Sequence, residues 1–340
     1  MSQNTVPERI GYLDVAKVIV AFLVVFGHFY SPDSDASILR RFIYTFHMPF
    51  FFFISGMFHH YGWYSLQKSL VKYAKTLLFP ACFFIILYIV IVPPVVGIID
   101  GEGGYFPLLL KAIKLQLNEL VTTTHLYYNS VCWFLLSLFT CKLLADILYL
   151  NKYIGALFIL GILFICWKIH SGFFYSLQAI IALPFYFMGG VIKSKLRLLQ
   201  SLKYKPIIAV LLGLLCFALM CLNGRVSLLA HMFGNLPIPL NVCCFYLNAI
   251  IGSLAVIMLA MTANLKSPFI TGLAQSLITI LGFQAFLLKP FLQWFDGYTF
   301  GVLLKIVVSI AIVVICYGVH QGIMRYIPIV LGKGRVADEK

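Results

Sequence analysis

Charge is what this sequence has least of. Only 11% of its 340 residues are Asp, Glu, Lys or Arg, where a soluble domain averages about 25%. The shortage is sharpest for acids, with 11 Asp and Glu against 25 Lys and Arg. A chain so poor in charge cannot cover an aqueous surface. With 62% hydrophobic residues and a mean hydropathy of +0.98, its apolar surface exceeds what one core could hide from water. Length alone would suggest two soluble domains, but composition makes lipid the solvent. CxxC pairs are also absent. The nine cysteines fall mostly inside apolar runs and read as small buried hydrophobes, so neither a structural disulfide nor a metal site is expected. There is no nucleotide-binding glycine motif, internal repeat, low-complexity tract or soluble domain. The first apolar run begins near residue 12 with no small-residue cleavage site after it, so it is expected to stay as a span behind a polar tail, 1–8.

What is present is a series of apolar runs long enough to cross a bilayer. They lie near 12–30, 42–59, 76–98, 130–149, 153–169, 173–192, 206–222, 243–263, 272–290 and 301–325. The expected fold is an all-α, polytopic transmembrane bundle of about ten spans, one domain over 1–340, with a basic tail at 326–340. The net charge of +14 sits largely in short loops between the runs, which is a topology signal rather than a nucleic-acid surface. With the N-terminus placed inside, fifteen Lys and Arg fall on the cytoplasmic side and seven outside. Both termini are therefore expected in the cytoplasm. The longest loop, about 99–129, is then external, and 106–120 in it can form an amphipathic surface helix.

The first run carries a polar stripe. Asp14, Lys17 and His28 share one helical face, because eleven residues rotate a helix by about 20° net and raise it about 16 Å. Ionisable groups within a membrane face a bundle interior or a wet cavity, and a neutral imidazole there can act as a general base. An interhelical hydrogen bond with an Asp14–Lys17 ion pair accounts for the same stripe. The second run reads Phe46-His47-Met48-Pro49, then Phe50–Phe53, Ser55 and Gly56. His47 suits a substrate contact or the membrane interface, and Ser55-Gly56 permits close helix packing. Pro49 is expected near the start of its span, where proline is tolerated. Lys68, Lys72 and Lys75 share a face at the start of the third run, fit either to hold phosphates or to anchor topology. Trp133 opens the fourth run, as a site residue or an interfacial anchor.

In their order and spacing these stretches resemble the acyltransferase-3 family of membrane O-acyltransferases. The elements are Lys17 followed after ten residues by His28, with Asp14 upstream; Phe46-His47-Met48-Pro49 leading to Ser55-Gly56; Lys72 and Lys75 before Pro80; Trp133-Phe134-Leu135; and Leu183 through Gly190. The second element is most similar to the fucose 4-O-acetylase-like subgroup. The resemblance covers residues 9 to 325. It implies acyl-CoA, above all acetyl-CoA, as a cytoplasmic donor substrate with no bound cofactor. It implies a lipid-linked or surface glycan hydroxyl as acceptor, in O-antigen or capsule, and a bacterial cytoplasmic (inner) membrane as the location. Membrane lipids are partners and nucleic acid is not. In its terms Lys72 and Lys75 hold the CoA phosphates. His28 deprotonates the acceptor or briefly carries the acyl group, Lys17 and Asp14 order the site or contact the pantetheine arm, and Ser55 donates to the developing oxyanion. Two departures stand out. Lysine replaces the commoner arginine at 17, 72 and 75 and loses the planar fork. Gln284 stands where a late histidine is frequent. With no fused esterase-like domain in the sequence, transfer has to finish within the membrane domain. The competing readings are a transporter or flippase for a lipid-linked glycan, or a glycan polymerase. The first predicts inverted repeats and the second a long outer loop.

Overall fold

The structure is a computed structural model that describes residues 10–30, 38–224, 226–228, 234–263, 265, 267–295 and 300–334. Its described elements are all helical. In chain order they are α1 (Gly11–Gly27), α2 (Ile38–Met57), α3 (Leu66–Tyr73), α4 (Phe79–Ile99), α5 (Tyr105–Thr122), α6 (Trp133–Leu150), α7 (Lys152–Ile169), α8 (Ser176–Ser201), α9 (Lys205–Asn223), α10 (Ile238–Ala263), α11 (Pro268–Gln275), α12 (Leu277–Trp294) and α13 (Val302–Tyr326). The architecture is a polytopic helical bundle.

Every apolar run of the sequence is helical over most of its length, with ends displaced by a few residues in most cases. Eight helical segments among the described residues are long and apolar enough to cross a membrane. The other two expected spans are α1, at 17 residues, and α2, which carries Arg40, Arg41 and His47. Both are packed inside the bundle. The runs at 130–149 and 153–169 are parted at Asn151, whose side chain accepts from the Tyr153 and Ile154 backbone N–H groups and so caps α7. The run at 272–290 is interrupted at Ser276, between α11 and α12. The external-loop helix expected at 106–120 is α5. It exposes Phe106, Leu110, Leu117 and Val121 along one side and packs on α4 through Leu108 against Gly97.

Two devices position the site. The first is contact between backbones. A Cβ on Gly56 would overlap the Tyr186 carbonyl oxygen, and one on Gly189 would overlap that of Phe53. The two glycines therefore let α2 and α8 touch along their main chains. Phe50, Phe51, Phe52 and Phe53 are all buried in the central core, with Phe84, Phe134 and Phe185. The second device is proline. Pro80 cannot donate to the Thr76 carbonyl one turn back, and the chain passes through a π-helical turn over Ala74–Leu78 just before α4, a feature frequent at functional sites. Lys75 sits on that turn. Pro49, expected near a helix start, is instead in the middle of α2, because the helix already begins at Ile38.

Candidate active site

Three cavities follow one another from an end rich in lysine to an end rich in histidine, the first on α3 and the π turn, the next two along the α1–α2 pair. The first is a surface cleft of about 590 Å3 lined by Gln67, Lys68, Val71, Lys72, Lys75, Thr76 and Gly332. Ser65 caps α3 by accepting from the Lys68 N–H, and Thr76 donates to the Lys72 carbonyl. The lysines therefore project from ordered backbone. The Lys72 ammonium lies 4.4 Å from the Tyr64 ring centroid. The Gly332 backbone packs against the Lys75 carbonyl, closing the cleft on one side.

Thr76 also lines the second cavity, about 340 Å3, whose walls include Lys17, Ser55, Lys142, Phe58, Phe134 and Leu138. Lys17 donates to Asp14 at 3.2 Å, and Asp14 is buried at 3% exposure. The ion pair is therefore real, and its cationic end reaches a cavity. This cavity is the one that contains Ser55. Along α2, Ser55 is eight residues from His47, about 12 Å, so Ser55 stands beside Lys17 rather than beside the histidines.

The third cavity, about 70 Å3, is lined by Val24, His28, Tyr44, His47, Met48, Val131, Trp133, Ser227 and Leu228. It brings His28, His47 and Trp133 together from three helices. Gly27 leaves room for the Tyr44 ring, whose hydroxyl sits 3.3 Å from His28 Nδ1, while the same ring packs 4.5 Å from that of His47. The Arg40 guanidinium covers the other side of Tyr44 at 4.2 Å. His47 Nδ1 is 2.9 Å from the Ile43 carbonyl oxygen. A carbonyl only accepts, so Nδ1 carries the proton, and in the neutral ring Nε2 is the nitrogen with the free lone pair. Trp133 is buried rather than anchored at an interface. It packs 6.0 Å from Tyr175, and Tyr175 is itself held by the Leu126 N–H donating to its hydroxyl at 2.9 Å and by stacking on His125.

Lys17 and His28 are eleven residues apart on α1, about 16 Å, and the second and third cavities occupy these two levels. Between them stand Phe51 and Met48 on neighbouring turns of α2, and the adjacent residues Phe134 and Trp133 on α6. The arrangement can accept an elongated molecule with an anionic head at the lysine end and a reacting group at the histidine end. The described residues contain no group of three or more His, Cys, Asp or Glu able to hold a metal ion.

A family model described as an acyltransferase domain, the acyltransferase-3 model, matches residues 10–320. The chain belongs to the acyltransferase-3 family. The match covers the second and third cavities, all of the first but Gly332, and most of the bundle, so this is a multi-pass membrane acyltransferase. No curated protein and no solved structure matches the chain.

The acyltransferase contains one buried polar cluster that sequence reasoning missed. His59 Nε2 donates to Asp146 at 2.8 Å, Tyr186 donates to His59 Nδ1 at 2.5 Å, and Tyr73 donates to the other Asp146 oxygen at 2.8 Å. These bonds join the chain after α2 to α3, α6 and α8 near the lysine cleft. The signal in the sequence was Lys142 and Asp146, one turn apart in an otherwise apolar run, since ionisable groups inside a span are seldom incidental. Gln284 is 1% exposed on α12, and among the described residues neither polar atom of its amide has a hydrogen-bond partner. Its helix neighbours Ile280 and Leu288 pack against Ala21 and Val25 of α1.

Proposed function

We propose that the protein is an O-acyltransferase that moves an acyl group, acetyl above all, from cytoplasmic acyl-CoA to a hydroxyl of an extracytoplasmic cell-surface glycan. The observation that supports this most is the run of cavities that share Thr76 at one junction and adjacent aromatic residues at the next. The lysine cleft is the donor's opening, and Lys72 and Lys75 attract its phosphorylated end. The pantetheine arm follows Lys17 and Ser55, which lie along the path rather than at the reacting carbon. The acceptor enters at the histidine end and rests against Trp133.

His28 takes the proton from the acceptor hydroxyl as its oxygen attacks the thioester carbonyl carbon. The carbon–sulfur bond then breaks, the ester forms, and the same proton passes to the thiolate of CoA. His47, with Nε2 free to accept, orients the acceptor through a second hydroxyl. Asp14 fixes Lys17. This division of labour places a general base in a small, water-poor cavity, where such a group is worth about 100- to 10,000-fold in rate. Extracytoplasmic acceptors and a cytoplasmic donor require a chain inserted with its lysine end inside a bacterial cytoplasmic membrane, in line with the distribution of Lys and Arg.

The test is a mass comparison of surface glycan from cells with and without the gene. An added acetyl mass per repeat unit, lost with His28→Ala at normal membrane abundance, is the expected result. Unchanged mass with altered glycan amount or length would replace this reading with flipping or polymerisation.

A further inference from the structure

Lys142 has no role in the mechanism so far, yet it faces the same cavity as Lys17 and Ser55. It belongs to α6, a helix of the bundle interior. Asp146 lies one turn along the same helix, but both of its oxygens are taken by His59 and Tyr73. Among the described residues no carboxylate lies within 4 Å of the Lys142 ammonium. Its partner is the Tyr73 ring, 5.2 Å away, which attracts a cation without neutralising it. A cation held in an apolar cavity with no carboxylate in direct contact is costly, and Asp146, one turn away, compensates it only from a distance. The cost is offset when an anionic ligand occupies the cavity.

Resting on the acyl-CoA reading above, we propose that Lys142 is the binding residue for the diphosphate of the donor. Length supports the assignment. The arm of acyl-CoA, from the diphosphate to the thioester sulfur, is about thirteen bonds long. An extended chain covers three bonds in about 3.5 Å, so the arm reaches about 15 Å. Lys142 is nine residues from Trp133 on α6, about 13 Å, and Lys17 is about 16 Å from His28 on α1. A diphosphate held at the level of Lys142 therefore delivers the thioester to the histidine cavity. The lysines of the cleft are then left for the remaining phosphate, on the ribose of the nucleotide.

The test is equilibrium binding to the purified full chain in lipid nanodiscs, with acetyl-CoA and with acetyl-pantetheine, which lacks every phosphate. Lys142→Gln is expected to weaken acetyl-CoA about tenfold, equal to about 1.4 kcal/mol, and to leave acetyl-pantetheine unchanged. Lys142→Arg, which keeps the charge, is expected to bind both as the wild type does. Lys142→Gln binding acetyl-CoA at wild-type strength overturns the inference. So does an equal loss for both ligands in a variant that elutes as a single species, since that marks a structural role. Wild-type protein that binds no acetyl-CoA removes the donor reading itself, and this inference with it.

Discussion

At the lysine end of the molecule the cavities are wide, about 590 and 340 Å3, and the charged residues lining them are cations. At the histidine end a single cavity of about 70 Å3 is walled by the rings of His28, Tyr44, His47 and Trp133. The lysine end is braced by a hydrogen-bonded network of four side chains, whereas the histidine end is shaped by ring packing. Under the proposed function, the contrast teaches that the two tasks of a transfer across a bilayer have different physical requirements. An anionic, flexible head needs charge and volume. A proton transfer needs a small space from which water is excluded and in which one nitrogen points the right way. In the proposed mechanism α1 and α2 connect the two tasks, because about 16 Å of rise separates Lys17 from His28.

The comparison can be broken from either side. The largest effect is expected from Asp146→Ala, which leaves His59 and Tyr73 without their shared acceptor. Removing one member of a buried charged network costs about 3 kcal/mol or more, and thermal unfolding in detergent should register it as a clear fall in Tm. An unchanged Tm would mean that the lysine end is held by packing alone. Next, His47→Ala is expected to lower kcat about 100-fold, the cost of misplacing the acceptor by about 1 Å, while acetyl-CoA binding stays as in the wild type. A comparable loss of donor affinity would merge the two ends into one site. Lys72→Gln and Lys75→Gln are each expected to raise KM for acetyl-CoA about tenfold with kcat unchanged, the loss of one charge-assisted contact. A fall in kcat with steady KM would move these lysines out of donor binding. The smallest effect belongs outside the comparison. Leu160 is 62% exposed on α7, a helix that packs on α6 and α8 and otherwise faces outward. Leu160→Ala should leave both transfer and abundance unchanged.

Much of the bundle was legible in the sequence because lipid leaves a long, uniform record. Each crossing needs a run of apolar residues, and each run became helix. The stripe on α1 was legible for the same reason, as Asp14, Lys17 and His28 are conspicuous in an apolar helix and their spacing alone puts them on one face. The pairing of His28 with His47 and Trp133 was not readable from spacing, because it depends on how three helices approach. It rests on Gly27, which makes room for Tyr44, and on the loops that press Tyr175 against Trp133. Ser55 shows the limit most plainly. Its place in a motif suggested the reacting centre, while the rise of α2 puts it two turns and more from His47. The His59–Asp146 network was hidden because its members are 87 residues apart in the chain.

The central claim is that the histidine cavity carries the chemistry and the lysine end carries the donor. The most direct measurement follows labelled acetyl groups from acetyl-CoA to glycan in proteoliposomes, with acetyl-CoA binding measured on the same preparations of wild type and His28→Ala. The account predicts that the variant binds acetyl-CoA as the wild type does and transfers nothing above background. Full transfer by His28→Ala, with normal insertion, would contradict it.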